Sequence, residues 1–155
     1  MKGPVLKKAI VGLLGLAALV VLAGCGQSAA AAAGQGGASG ATPGVVTVDV
    51  LYLNHPPVRP VLSQVDEVLT KYGDKVKVTR YDAETDQGAA FAKAKGITQH
   101  EPMVILINGS TDAKVDGRQV KFLSFPQGQG TGMVPDGAWS MQDLDAALAQ
   151  ATGTK

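Results

Sequence analysis

Few side chains in this 155-residue chain can do chemistry. Cys25 is the only cysteine, and His55 and His100 are the only histidines. With one thiol there is no C-x-x-C pair for zinc or for disulfide exchange. Ser110, Thr111 and Ser124 have no histidine or acid at a recognisable triad spacing, so nothing supports a hydrolase. Gly128-Gln129-Gly130-Thr131-Gly132 is glycine-rich. It lacks the lysine and the immediate helix of a phosphate-binding loop. The chemistry therefore rests on one thiol near the N-terminus and two imidazoles farther along the chain.

Cys25 ends the stretch Leu22-Ala23-Gly24-Cys25. Lys2, Lys7 and Lys8 form a basic front, and Ala9 to Leu22 is an uncharged apolar run. These are the parts of a secretory signal. The run is shorter than the roughly 20 residues a membrane-spanning helix needs. The Leu-Ala-Gly-Cys ending resembles the lipobox of bacterial lipoproteins. That resemblance implies diacylglycerol transfer to the Cys25 thiol, cleavage before it, and acylation of the new N-terminus. Residues 1–24 are then a signal peptide, and the protein sits lipid-anchored on the extracytoplasmic face of a bacterial membrane. Gly26 follows, so no aspartate there suggests retention at an inner membrane.

Residues 25–44 are nearly all Ala, Gly, Ser and Gln and have almost nothing large to bury, which predicts a tether. Residues 45–152 have the size of one domain. Losing Lys2, Lys7 and Lys8 with the signal leaves 11 basic against 13 acidic residues, a net charge of −2. No basic stripe survives, so nucleic acid is not an expected partner.

The elements follow from periodicity and punctuation. Val45 to Leu53 is a valine-rich run suited to an interior strand. After His55-Pro56-Pro57, apolar residues from Val58 to Tyr72 form a helical stripe, with Gly73 expected as its C′ residue. Lys75 to Tyr81 reads as a second strand, and Asp82–Thr85 opens a helix running to Lys95. Met103 to Ile107 reads as a third strand. Asp116-Gly117 marks a hairpin between Ala113–Val115 and Val120–Phe125. A long loop spans Pro126 to Gly137. Ser140 with Asp143 fits a capping box opening a final helix.

This order gives an α/β class, with parallel strands first and an antiparallel hairpin after them. Over almost the whole domain the chain resembles the thioredoxin-like family. The strand Val46–Leu53 running into His55-Pro56-Pro57-Val58-Arg59 looks like the family's strand and C-x-x-C-K/R motif. His55 and Val58 stand where the two cysteines belong. Gly96-Ile97-Thr98-Gln99-His100-Glu101-Pro102 followed by Met103–Ile107 and Asn108-Gly109 looks like its cis-proline block. Asp49, six residues before His55, matches the buried acid beneath the redox site.

The resemblance implies a three-layer α/β/α sandwich with a mixed central sheet and a cis Pro102. It also implies that the loops at Asn54–Arg59, Thr98–Met103 and Pro126–Gly137 meet on one side. Disulfide exchange needs a thiolate, which His55 and Val58 do not supply. The proline that kinks the family's first helix is also missing, with Ser63 near its place. The expected protein is redox-inactive and not an enzyme, a module holding an unidentified peptide or protein.

Two alternatives stand beside that reading. If the fold holds, His55 and His100 face one pocket, and with Glu101 or Asp49 they could bind copper or zinc. Two imidazoles are an incomplete set, since catalytic zinc takes three protein ligands and structural zinc four. The other alternative is thiol–disulfide chemistry with a cysteine supplied by a partner. For the third loop, Phe125, Met133 and Trp139 are candidate apolar contacts, with core positions the plainer expectation for Phe125 and Trp139.

The anchor carries a direct test. Radiolabelled palmitate should enter the wild-type chain and not a Cys25→Ser chain; equal labelling of the two would contradict lipidation of Cys25.

Overall fold

The computed structural model describes residues 44–98 and 100–154. The expected signal peptide, Cys25, the expected tether up to residue 43 and Gln99 lie outside the described residues. The element order is β1 (Val46–Tyr52), α1 (Val58–Thr70), a 3-10 turn (Gly73–Lys75), β2 (Val76–Asp82), α2 (Asp86–Ala94) and β3 (Met103–Ile107). Then come β4 (Asp112–Val115), β5 (Arg118–Lys121) and α3 (Met141–Thr152). The architecture is mixed α/β. Its three-stranded sheet has the order β2-β1-β3, with β2 parallel and β3 antiparallel to β1. Among the described residues, no helix is long and apolar enough to cross a membrane.

β1 lies between β2 and β3 and carries buried apolar residues on both of its faces. Val46, Val48 and Val50 alternate onto one face. There they meet Val58, Val61, Val65 and Leu69 of α1 and Leu144, Ala147 and Leu148 of α3. Leu51 turns to the other face with Val104 and Leu106, against Phe91 and Ala92 of α2. Tyr81 stacks on Phe91 there, ring centroids 3.9 Å apart. β4 and β5 form a separate hairpin turned by Asp116 and Gly117, both at positive φ, as a type I′ turn requires. Past β5 the chain runs on along β3: the Ile105 amide donates to the Phe122 carbonyl at 3.1 Å, and Ser124 to Met103 at 2.9 Å.

The helix ends show why the boundaries fall where they do. The Ser140 hydroxyl accepts from the Asp143 amide and the Asp143 carboxylate accepts from the Ser140 amide, the reciprocal bonds of a capping box. Burial works against the Asp143 charge. Bonds from the Ser140 hydroxyl, Arg118 and the Ser140 amide outweigh it and hold this carboxyl below the ordinary aspartate value. α1 stops at Thr70 with Lys71 as its cap, so Gly73 instead opens the 3-10 turn at φ 49°. Just beyond that end, Tyr72 ties α1 to α3 by donating to the Asp145 carbonyl at 2.6 Å. Burial and that neighbour push its phenol up to about 12.

Trp139 is fully buried, donates Nε1–H to the Leu123 carbonyl at 3.0 Å, and packs edge-on against Phe122. It is a core residue and not a cleft contact, because its one donor is satisfied inside. Gly88, in the first turn of α2, has a different reason to be glycine. A Cβ there would overlap the Asp82 carbonyl and crowd Ala83. Gly88→Ala should destabilise the domain by about 1–3 kcal/mol through overpacking, read as a lowered denaturant midpoint. An unchanged midpoint would mean that α2 does not press on the end of β2 as described.

Candidate functional site

The strand register builds the site. In the antiparallel β1–β3 pair Tyr52 lies opposite Met103, so the residues just beyond must meet. They do, with the Leu53 amide donating to the Pro102 carbonyl at 3.0 Å. The run after β5 is held to β3 at Met103, which brings Phe125 alongside. Three loops thus close around one cleft of about 180 Å³. It is lined by Leu53, His55, Pro57, Val58, His100, Pro102, Phe125, Thr131, Met133 and Val134. The floor is apolar, and the histidines and Thr131 supply polar rim groups. Pro56, next to Pro57, is exposed.

The loop from Pro126 to Gly137 is ordered around one carboxylate. Asp136 accepts the amides of Gly128 at 2.8 Å and Gln129 at 3.1 Å, and also that of Gly130. The Gly128 amide first, then those of Gly130 and Gln129, hold its carboxyl below the usual aspartate range. Gly130 and Gly137 allow the close approach, since a Cβ at either would press on Asp136 or on the Phe125 carbonyl respectively. Gln129 joins Gln64 of α1 through paired side-chain amides at 2.8 and 3.1 Å. The amides of Thr131 and Val134 donate to each other's carbonyls, a tight turn with Met133 near its tip. Met133 is 95% exposed while lining the cleft.

Several expectations need correction. The peptide bond before Pro102 is trans, as no described bond is cis. A trans bond is the ordinary X-Pro preference, and with it the Pro102 carbonyl still reaches β1. Asp49 is half-buried, and among the described residues no hydrogen bond joins it to His55. Strand alternation puts it on the face of Leu51, whereas Leu53 and Val58 of the cleft belong to the core on the other face. Nor does it pair with Arg80, which binds Asp66 instead. The carboxylate that takes His55 is Glu84, with Nε2 and Oε1 3.1 Å apart.

His55 and His100 do line the same cleft. Among the described residues, however, no three His, Cys, Asp or Glu side chains converge on a point where a metal could sit. Neither Glu101 nor Asp49 completes the imidazole pair, because Glu101 instead lines a separate groove with Lys95, Thr98, Thr111 and Leu123. Arg59 turns to Asn54, with Nε 3.2 Å from Oδ1.

Glu84 had no local signal: it meets His55 only because β1 and β2 pair in parallel with Tyr52 opposite Asp82, which brings the residue two past Asp82 beside the start of the His55 loop. Asp136 had none either, because its partners lie six to eight residues back in a loop without periodicity. No family model, curated protein or solved structure matches the chain.

Asp136→Ala should abolish hydrogen-exchange protection at Gly128 and Gly130, and reduce it at Gln129, whose amide also donates to the Pro126 carbonyl, while leaving the helices protected. In the wild-type chain the depressed carboxyl stabilises the loop above the ordinary value of 3.8. That contribution is lost as pH falls through the folded-state value, so loop protection should drop there before the sheet opens. Unaltered protection in the variant would contradict the role given to Asp136.

Proposed function

We propose that this chain is a lipid-anchored, thioredoxin-like binding module that holds an extended peptide or peptide-like segment of a partner outside the membrane and does no dithiol chemistry. Four features support the reading. The β-α-β half followed by α, an antiparallel strand, a hairpin and a terminal helix is the order that family resemblance implies. The positions matching its two cysteines, His55 and Val58, line the cleft, and so does Pro102. The chain has no second thiol, and its single one is at Cys25 in the lipobox-like stretch. Among the described residues no hydrogen bond engages the Glu101 backbone, which leaves main-chain groups for an extended ligand to pair with.

The observation that carries the proposal is the cleft itself, apolar within and formed by three loops. Its volume, about 180 Å³, compares with the roughly 150 Å³ of an apolar cavity that takes benzene. One large aliphatic or aromatic side chain fits, with the flanking main chain lying across the rim. The ligand class is therefore a peptide anchored by one apolar residue. Burying such a side chain contributes about 1.5–3 kcal/mol, so affinity also requires pairing of the peptide main chain. A trans Pro102 means the pairing need not follow the geometry of the family's redox complexes.

The test is enrichment from a random peptide pool on the full Cys25→Ser chain. Peptides with one Phe, Leu, Ile or Met should be retained. Val134→Asp, which puts a charge in the cleft wall, should weaken retention by about tenfold or more with little change in circular dichroism. Equal retention by both chains would contradict the proposal. In an insulin-reduction assay with dithiothreitol as the electron source, the chain should add nothing to the rate of dithiothreitol alone, and acceleration over that rate would overturn the redox-inactive reading.

A further inference from the structure

Met133 stands apart from the other described methionines. It is 95% exposed at the lip of the cleft, Met103 is fully buried in β3, and Met141 packs against the core at the start of α3. The turn closed by Thr131 and Val134 keeps it there: the Thr131 amide donates to the Val134 carbonyl at 2.8 Å, and the Thr131 hydroxyl accepts from the Val134 amide at 3.1 Å. Exposing a large apolar side chain on an otherwise tied-down loop leaves a flexible, polarizable thioether beside an apolar floor. The same exposure makes its sulfur the most accessible thioether among the described residues. The loop's anchors, the bonds to Asp136 and the Gln64–Gln129 pair, do not involve the Met133 side chain, so its oxidation leaves them intact.

We propose that Met133 is an oxidation site at which a hydroperoxide, by forming the sulfoxide, turns the lip of the cleft polar and weakens its hold on an apolar ligand. The sulfur lone pair attacks one peroxide oxygen, the S–O bond forms and the O–O bond breaks. The departing hydroxide takes the proton of the attacked oxygen and leaves as water. Sulfur gives up two electrons and the peroxide accepts them. The product side chain is polar and chiral, and enzymes that reduce methionine sulfoxide restore the thioether. The effect on ligand binding rests on the reading of the cleft as a peptide site; the order of oxidation and the change in the lip do not.

The test treats the full Cys25→Ser chain with graded hydrogen peroxide and follows each methionine by peptide mapping. Met133 should gain one oxygen before Met141 and Met103. Fluorescence of anilinonaphthalene sulfonate, a probe of apolar surface that needs no peptide, should fall several-fold in the oxidised chain and in untreated Met133→Gln. Peroxide-treated Met133→Leu should keep the untreated signal, and sulfoxide reductase should restore it in the wild type. Oxidation of Met141 in step with Met133, an unchanged dye signal, or equal loss in Met133→Leu would each overturn the proposal. Peptides that bind the oxidised and untreated chains equally, with the dye response as expected, would overturn only the link to ligand binding. A pool yielding no ligand at all, beside the expected dye response, counts against the peptide reading and not against the oxidation site.

Discussion

The register of β1 with its two neighbours is the constraint on which the site depends. Tyr52 faces Met103 on one side and Asp82 on the other. From those two pairings come the Leu53–Pro102 bond, the approach of Phe125 along β3, and the meeting of Glu84 with His55. A slip by one residue would exchange the faces of β1, turning Val48 and Val50 away from α1 and α3. Leu51 on one face and the three valines on the other make that slip costly. The valine-rich core therefore fixes not only the sheet but also which loops share a cleft.

Around that fixed frame the polar groups hold loops and helix ends in position. Asp136 gathers three amides and Asp143 closes a capping box while pairing with Arg118. His55 leans on Glu84 at the half-exposed rim. The described part of the chain contains no thiol. What the loops jointly offer is an apolar floor with an exposed methionine at its edge. Such a surface suits recognition, where one anchoring side chain and a few main-chain bonds decide affinity.

Much of this was legible in the sequence because the signals were local. The hairpin at Asp116-Gly117, the capping box from Ser140 to Asp143 and the strand Met103–Ile107 all follow from residues a few positions apart. The convergence of His55, His100 and Pro102 was an inference from family resemblance, and the three do line one cleft. What escaped needed register or three-dimensional closure. Glu84 beside His55 depends on the parallel pairing, and Asp136 depends on a loop folding back on itself. Asp49 was matched to a buried acid by its spacing from His55 alone, whereas it is half-buried and shares the face of Leu51 along β1. Gly73 misled because the helix gave up its last turn to a 3-10 segment.

The most direct measurement is methyl chemical-shift mapping of the full Cys25→Ser chain with a peptide recovered from the pool. The account predicts shifts centred on Val58, Val134 and Leu53. Shifts confined instead to the separate groove at Lys95, Ile97 and Leu123, with the three cleft methyl groups unmoved, would contradict it.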